Sequence, residues 1–274
     1  VATRVFDGVL PGGTVSSPDR ARMRRALRLA ALLHDVGHPP FSHSLEAELP
    51  DAALGEGARG ARHEAFTKHL VESPSLAAAI GGAGALVNDV IGILSGDSRF
   101  ACGGVDFGPL LHAIVAGELD ADRMDYLLRD SHHAGVSYGR YDHEWIVRNL
   151  TMTVVEGSAR LALSHRALYA FDDFLFSRLQ MFLAVYFHPT PVAFDEMLRR
   201  HFASGNATFS IPPDSEAFAT CDDSALIENL RASEEPWARR IVARAPFRLL
   251  FETDAEPKVC NRLANELDNQ GILN

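Results

Sequence analysis

The chain has 274 residues, which is enough for one large domain or for a domain with a small appendage. Its apolar content of 47% and charged content of 23% are ordinary for a globular protein and argue against long disordered stretches. The net charge of -10 argues against a dedicated nucleic-acid surface, because phosphate backbones are bound by clustered Lys and Arg. A small phosphate-bearing substrate remains compatible with this charge.

The first half of the chain predicts a series of helices separated by loops rich in Gly, Ser and Pro. From Arg20 to His34, apolar residues recur at helical spacing with Arg between them, which predicts an amphipathic helix. This helix should end before Pro39-Pro40, because proline disfavours helical geometry in the residue before it. Further helices are predicted from near Phe41 to Leu49 and around residues 62–72, 85–94, 109–114 and 120–130.

The periodicity changes near Leu150. Residues 151–155 and 159–163 flank a short Gly-containing turn and predict two strands. Helical spacing returns from His165 to about Phe202, another helix begins at Asp222 or Asp223, and Phe247–Phe251 reads as a strand. The sequence therefore predicts a mainly α fold with minor β additions.

Cysteine usage and hydropathy indicate the compartment. The three cysteines, Cys102, Cys221 and Cys260, are far apart and form no CxxC pair, which fits a reducing cytosol better than a disulfide framework or a thiolate zinc site. No run of eighteen apolar residues exists, and the nearest candidate, residues 76–94, is interrupted by glycines and by Asn88-Asp89. We therefore expect a cytoplasmic protein that does not associate with a membrane.

Candidate metal ligands occur where the first long helix is predicted to end. His34 and Asp35 offer one imidazole nitrogen and one carboxylate oxygen, a mixed set that suits Mn, Fe, Ni, Zn or Mg rather than thiolate-seeking metals. Alone, such a pair is more typical of a helix end that binds only water. Three further histidines within thirty residues, His38, His43 and His63, favour a site instead.

A possible acid/base pair lies in the next predicted helix. His43 and Glu46 are spaced i, i+3 and share one helix face. A His held by a carboxylate is a standard acid/base arrangement, because the carboxylate fixes the tautomer and supports the imidazolium. The alternative is an exposed helix pair without a catalytic role.

A third polar group lies in residues 118–133. Asp122, Tyr126 and Asp130 fall at i, i+4 and i+8 on one stripe of a single helix and resemble the wall of a polar pocket. The alternative is a solvated outer face. Such a face would more often carry Lys and Glu than a Tyr followed by a His132-His133 doublet.

Together these motifs resemble the HD-domain phosphohydrolases, named for their His…His-Asp…Asp ligand set, and more closely the deoxynucleoside-triphosphate triphosphohydrolase branch. The resemblance rests on LLHDVGHPPFSH (32–43), RHE (62–64), DADRMDYLLRDSHHAG (120–135), the strand pair after Leu150 and SRLQMFLAVYFHPTPVAFDEML (177–198). It implies a helical HD domain over residues 1–205, which includes the hairpin, and a small α+β extension over residues 206–274.

The resemblance also implies roles, position by position. Divalent-metal ligands are implied at His34, Asp35 and Asp122. His43 resembles the catalytic His, with Glu46 where an Asp commonly supports it, and His63 resembles the active-site His near the leaving group. Substrate contacts are implied for His38, Arg123 and Arg178 on phosphates, Tyr126 and Asp130 on the sugar and its 3′-hydroxyl, and Tyr186 on sugar or base.

One ligand of the family pattern has no counterpart in the sequence. The family's first His lies on a helix a few tens of residues before the His-Asp pair, whereas no histidine precedes His34. Residues 1–8 read as the end of that helix, so we expect the ligand to lie upstream of Val1. The other reading is a site with weakened metal affinity.

The activity implied by the resemblance is attack of water on the α-phosphorus of a deoxynucleoside triphosphate, with release of nucleoside and triphosphate by a homo-oligomeric enzyme. Two alternatives remain open. One is hydrolysis of another phosphoester, such as a nucleoside monophosphate or a guanosine alarmone. The other is a nucleotide-sensing protein with a weak or inactive site, against which the set of His34, Asp35, His43, His63 and Asp122 argues.

Overall fold

The computed structural model describes residues 1–51 and 62–247 of the chain. Within them the fold is mainly α, as predicted, and the predicted hairpin is part of a small mixed sheet. The α-helices are α1 (Ala2–Val9), α2 (Ser17–Leu33), α3 (Arg62–Val71), α4 (Pro74–Gly82), α5 (Val87–Ser95), α6 (Gly108–Ala116), α7 (Ala121–Ala134), α8 (His143–Asn149), α9 (Leu168–Met181), α10 (Pro189–Ala203), α11 (Ser215–Phe218), α12 (Asp223–Ala232) and α13 (Pro236–Val242). The strands are β1 (Ala101–Cys102), β2 (Val105–Asp106), β3 (Leu150–Val155) and β4 (Ser158–Leu163).

Helix α2 begins three residues before the predicted start because Ser16 caps it. The Ser16 hydroxyl accepts a hydrogen bond from the backbone N–H of Asp19, and Pro18 occupies the first turn, where its missing N–H costs nothing. The helix buries one apolar face, formed by Met23, Ala26, Leu27 and Ala30. It ends at Leu33, so that His34 stands at its C-terminal cap.

The larger of two apolar cores joins α1, α2, α5, α6, α7 and the hairpin. Helix α6 packs against both α2 and α7, and its residues Leu110, Leu111 and Ile114 are buried. This packing fixes the end of α2 relative to the start of α7. The core therefore positions two segments that carry predicted site residues.

The sheet has the strand order β1-β2-β4-β3. Strands β3 and β4 form the predicted antiparallel hairpin, in register from Leu150 opposite Leu163 to Val155 opposite Ser158. Glu156 and Gly157 both have positive φ at its turn, the geometry that suits a two-residue hairpin connection. The two-residue strands β1 and β2 were not predicted, because segments this short carry no alternation.

The helical spacing expected from His165 to about Phe202 is confirmed, with one break between Tyr186 and Pro189. A 3₁₀ turn (His165–Ala167), α9, a π-helical segment (Phe182–Tyr186) and α10 follow one another. Pro189 starts α10, and His188 before it has ψ of 138°, outside the helical range. The break leaves Tyr186 in the π-helical segment between the two helices.

The helix predicted from Phe41 to Leu49 is a 3₁₀ helix, Ser42–Glu48. Its N-cap Phe41 (φ 58°) and its first residue Ser42 (φ 53°) are both left-handed. A second core packs it against α3, α10, α12 and α13 through Leu45, Leu49, Phe66, Leu198, Phe218, Leu226, Leu230 and neighbouring apolar residues. This core fixes the segment that carries His43 and Glu46. Of the strand predicted at 247–251, Phe247 is not in a strand and the remainder lies outside the described residues.

No single helix among the described residues is long and apolar enough to cross a membrane. Helices α4 and α5 have sufficient combined length and apolarity, but they meet at 106°.

Candidate functional site

Three of the predicted site residues meet where the end of α2 faces the start of α7. His34 caps α2, Asp35 follows it, and Asp122 lies in the first turn of α7. The His34 Nε2 atom lies 3.4 Å from Oδ2 of Asp35 and 3.6 Å from Oδ1 of Asp122. One potential ligand atom from each residue lies within 4.8 Å of the other two. We refer to His34, Asp35 and Asp122 as the HD cluster.

The hydrogen bonding of His34 suits a metal ligand. Its Nδ1 lies 3.2 Å from the carbonyl oxygen of Ala31, which can only accept, so Nδ1 donates and the lone pair is on Nε2. Nε2 is buried and has no hydrogen-bond partner within the described ranges. Asp122, and then Asp35, raise the pKa of His34, while His34 lowers the pKa of Asp122. The field that favours a proton on Nε2 also favours a cation there, and the N/O donor set fits a divalent ion.

A second group of predicted residues surrounds the Glu46 carboxylate. Oε1 of Glu46 contacts Nδ1 of His43, lies 3.0 Å from Nδ1 of His63 and lies 3.8 Å from Nδ1 of His38. The His38 and His63 rings are stacked, with centroids 4.1 Å apart. We refer to these four residues as the histidine cluster. Burial and then the charge of His63 lower the pKa of His38.

Glu46 remains acidic in spite of its burial. Burial alone raises the pKa of a carboxyl group, but the contacts with His63 and His43 outweigh that effect and lower the pKa of Glu46. An ionised Glu46 can orient the imidazoles and support a proton on them.

Asp35 connects the two clusters. Its Oδ2 faces Nε2 of His34, whereas its Oδ1 lies 3.7 Å from Nε2 of His38. A cation-binding set of side chains and a proton-exchanging set therefore lie side by side.

The turn after His34 is held directly against α3. Thr67 donates a 3.1 Å hydrogen bond from its hydroxyl to the carbonyl oxygen of His34 and accepts a 3.0 Å bond from the N–H of Gly37. Arg62 donates a 3.0 Å bond from Nε to the carbonyl oxygen of Glu46. Sequence reasoning gave no role to Thr67, Gly37 or Arg62, although Gly37 and Arg62 fall within the motifs that it singled out.

Distant residues hold the 3₁₀ helix that carries His43. The left-handed Phe41 donates its N–H to Oδ1 of Asp223 at 2.9 Å, and the Ser44 hydroxyl donates to Oδ1 of Asp195. These partners lie more than 150 positions away in the chain. No local sequence signal could have identified them.

The remaining predicted substrate residues form a third group beside the HD cluster. Tyr186 donates a 2.7 Å hydrogen bond from its hydroxyl to Oδ2 of Asp130, and its ring lies edge-to-face with Tyr126. Burial, and then the bond to Asp130, raise the pKa of Tyr186. Burial also raises the pKa of Tyr126, although the charges of Arg178 and Arg123 oppose this shift. The structure thus brings together the tyrosines, Asp130 and both arginines.

Arg123 and Arg178 converge on one exposed carboxylate. Oε2 of Glu118 lies 3.6 Å from Nη1 of Arg123 and 3.8 Å from Nη1 of Arg178. Asp120 caps α7 by accepting a 2.7 Å bond from the N–H of Arg123, and burial raises the pKa of Asp120 to about 6. His38, by contrast, lies in the histidine cluster rather than beside these arginines. Glu118 and Asp120 fall in a segment singled out from the sequence, but neither was given a role.

Comparison with protein families accounts for both halves of the chain. The HD domain matches residues 17–130, and the HD associated region matches residues 141–259. The chain belongs to the HD-domain phosphohydrolase family. The HD-domain match includes the HD cluster and the histidine cluster, whereas Arg178 and Tyr186 fall in the associated region.

Related proteins share the domain at low to moderate identity. An uncharacterised protein of Methanocaldococcus jannaschii is 33% identical over 224 residues, which are 82% of this chain and 43% of that protein. The deoxynucleoside triphosphate triphosphohydrolase of Homo sapiens is 23% identical over 260 residues, 82% of this chain and 41% of its own length. The chain therefore spans less than half the length of these HD-domain relatives.

A solved structure shares the fold. The phosphohydrolase of Bacteroides thetaiotaomicron superposes with a TM-score of 0.70 at 24% identity, over 98% of this chain and 68% of that one.

Proposed function

We propose that the chain is a metal-dependent phosphohydrolase of nucleotides and that its substrate is a deoxynucleoside triphosphate. The observation that carries this proposal is the direct contact between the HD cluster and the histidine cluster through Asp35. Phosphoryl transfer needs electrostatic stabilisation and a positioned proton donor, and the two clusters are suited to these two tasks.

His34, Asp35 and Asp122 would hold a divalent ion, one of Mn, Fe, Mg, Ni or Zn. When bound, such an ion polarises a phosphoryl oxygen and favours the ionisation of water. The buried, unpartnered Nε2 of His34 fits this use.

The histidine cluster would transfer protons. In the proposed reaction His43, exposed at the surface of the cluster, donates a proton to the leaving 5′-oxygen. Glu46 orients His43 through the hydrogen bond to Nδ1 and stabilises the imidazolium form. His63 shares the same carboxylate and would stand near the leaving group.

The third group would bind the substrate. Arg123, Arg178 and His38 would neutralise phosphate charge, the main electrostatic requirement of this chemistry. Tyr126 and Asp130 would contact the sugar, while Tyr186, already bonded to Asp130, would pack on sugar or base. The name of the human relative, a deoxynucleoside triphosphate triphosphohydrolase, supports this substrate class.

We also propose that the chain forms a homo-oligomer. An apolar stripe along α9 and the π-helical segment, with the exposed Tyr169, Phe176 and Leu183 at its centre, supports this proposal, since large exposed apolar patches mark interaction surfaces.

The test is a substrate panel supplied with each candidate metal in turn: dNTPs, NTPs, nucleoside monophosphates and a guanosine alarmone, with the released phosphate species identified. Triphosphate release from dNTPs alone is the expected result. Asp122→Asn should lower turnover by more than about 100-fold, because it removes a metal ligand. The control Asp97→Asn, at an exposed position after α5, should not change it.

Turnover of another phosphoester in the panel would support the proposed phosphohydrolase activity and reject a dNTP as its substrate. Nucleotide binding without turnover under every metal would instead support the sensing alternative.

A further inference from the structure

The histidine cluster contains more nitrogen atoms than its carboxylate can satisfy. Nδ1 of His38 and Nδ1 of His63 are buried, and neither has a hydrogen-bond partner of acceptable geometry within the described residues. Both face Oε1 of Glu46, which Nδ1 of His43 also contacts. A carboxylate oxygen has two lone pairs, so it cannot accept from three imidazoles at once. Buried polar atoms of native proteins are normally satisfied, which points to a missing partner at the centre of the cluster.

We propose that His38, His43, Glu46 and His63 form a second divalent-cation site, separate from the HD cluster, and that the site takes Zn²⁺. One potential ligand atom from each of the four lies within 4.8 Å of the others. In tetrahedral zinc sites, bonds of about 2.0–2.2 Å to N and O place neighbouring ligand atoms roughly 3.3 Å apart. The separations of 3.0 and 3.8 Å from Glu46 Oε1 to the His63 and His38 nitrogens bracket that value.

The donor set selects the metal. Three imidazoles and one carboxylate match the N-rich ligands of zinc, whereas Mg²⁺ and Ca²⁺ take mainly oxygen ligands. Among the other first-row ions, Mn²⁺ and Fe²⁺ bind such sites more weakly. The stacked rings of His38 and His63, inclined by 14°, must tilt apart to aim both nitrogens at one ion, and the exposed His43 can close the fourth position.

This site has a consequence for catalysis that rests on the proposed function. A cation bound to Nδ1 of His43 and to Glu46 replaces the hydrogen bond between them. His43 then lacks the carboxylate support that lets it carry and release a proton. Zn²⁺ at the histidine cluster therefore inhibits an enzyme that a cation at the HD cluster activates.

Metal stoichiometry tests the site without reference to activity. The chain, stripped of metal and dialysed against Zn²⁺, should contain two equivalents by elemental analysis. Asp122→Asn and His63→Gln should each retain one, and the double variant none. The control His69→Gln, which alters a half-buried histidine of the same helix α3 that belongs to neither cluster, should retain two. One equivalent in the unaltered chain, or two in His63→Gln, would overturn the proposal.

A measurement on the unaltered chain avoids dependence on folded variants. Co²⁺ in a four-coordinate N₃O site absorbs visible light far more strongly than Co²⁺ in a six-coordinate site, so titration should give one intense visible component that Zn²⁺ displaces. Absence of that component would contradict the site. Loss of a ligand in His63→Gln should weaken Co²⁺ binding by more than about 100-fold, above the usual cost of losing an outer-shell partner.

Zn²⁺ inhibition distinguishes the two proposals. With the HD cluster saturated by Mn²⁺, added Zn²⁺ should suppress turnover in parallel with the second binding event. A chain that turns over nucleotide but takes up only one zinc equivalent from the metal-free state would reject the second site and leave the proposed function standing. Two zinc equivalents in a chain that turns over no nucleotide with Mn²⁺ alone would retain the second site and reject the proposed function.

Discussion

Gly37 determines how closely the turn of the HD cluster approaches α3. A Cβ at this position would lie 2.3 Å from the backbone nitrogen of Thr67 and 2.5 Å from the backbone oxygen of His63. Neither atom belongs to a side chain that can rotate away. The close approach lets the Gly37 N–H bond to the Thr67 hydroxyl and helps to place His38 on His63. The spacing between the two clusters thus depends on the absence of one methyl group.

We therefore expect Gly37→Ala to lower the free energy of unfolding by about 1–3 kcal/mol, the usual cost of overpacking. It should also weaken metal binding at the HD cluster, because the turn must move away from α3. Denaturant unfolding and metal titration measure the two effects. Gly8→Ala in α1, where no atom lies within 4 Å of the added Cβ, should leave stability unchanged or raise it by up to about 1 kcal/mol. Equal stabilities for the two variants would contradict the packing argument.

His43 allows a second prediction at this scale. Its contact with Glu46 lies in the histidine cluster, whereas the HD cluster does not use it. His43→Ala should therefore lower kcat by about two to four powers of ten, the usual contribution of a proton-transfer residue, and leave KM nearly unchanged. Steady-state kinetics on the preferred nucleotide measures the split, with the exposed His165→Ala as control. Unchanged kcat would remove His43 from the mechanism.

At the scale of elements, the Asp7 side chain of α1 forms ion pairs with α2. Asp7 accepts hydrogen bonds from Arg24 at 2.8 Å and from Arg20 at 2.7 Å. The bond from Arg24 is the main cause that lowers the pKa of Asp7, and Arg20 adds to it against the effect of burial. Because α1 packs in the same core as α2 and α6, this network positions the first helix on the scaffold of the HD cluster.

The lowered pKa of Asp7 determines how the stability contributed by this network changes with pH. A carboxyl group with a depressed folded-state pKa contributes stability above its unfolded-state pKa of about 3.9 and loses it as the pH falls through the folded-state value. Asp7→Asn should thus cost about 1 kcal/mol at pH 7, given the partial exposure of the network, and nothing at the lowest pH at which the chain is still folded. Denaturant unfolding midpoints of the variant and the unaltered chain from pH 3 to 7 measure this difference in stability.

Asp97→Asn provides a control for the Asp7 network. Asp97 is exposed and makes no ion pair with any described residue, so its variant should follow the unaltered chain at every pH. A constant difference between Asp7→Asn and the unaltered chain over the whole range would show that packing rather than charge is responsible.

The elements that the sequence predicted well are those whose signals are local. The apolar spacing in α2, the polar stripe on α7 and the alternation around Gly157 each reside in a few consecutive residues, and α2, α7 and the hairpin occur within three residues of the predicted starts. The interval from 165 to 202 is helical as predicted, but its break was not placed because the apolar spacing continues through Pro189. A stronger weight on the proline rule would have placed that break.

The candidate site, like the elements, was predictable only where its signals are local. The histidines and carboxylates that cluster were singled out because they lie in short motifs. Thr67, Asp195 and Asp223 were not found, because their contacts depend on tertiary packing between distant segments. Local chemistry thus indicated which side chains could react, whereas only the packed structure showed which ones hold them in place.

At the scale of the whole molecule, one helix face has no partner within the described residues. Tyr169, Phe176 and Leu183 are spaced seven residues apart and are 85%, 64% and 65% exposed. Leu168, Leu175, Leu179 and Phe187 widen the same stripe. A seven-residue apolar repeat presents a continuous seam along a helix, and such a seam can pair with a second copy of itself about a two-fold axis.

We therefore expect the chain to self-associate through this stripe. Sedimentation velocity over roughly 1–100 µM should show a dimer or larger assembly. Phe176→Asp with Leu183→Asp should raise the dissociation constant by more than about 100-fold, because each change buries a charge in an apolar contact that contributes about 2 kcal/mol or more. The control Leu86→Asp, an exposed apolar residue between α4 and α5, should assemble like the unaltered chain. A monomeric unaltered chain would contradict the expectation. Assembly that survives the double substitution would place the contact on another face of the molecule.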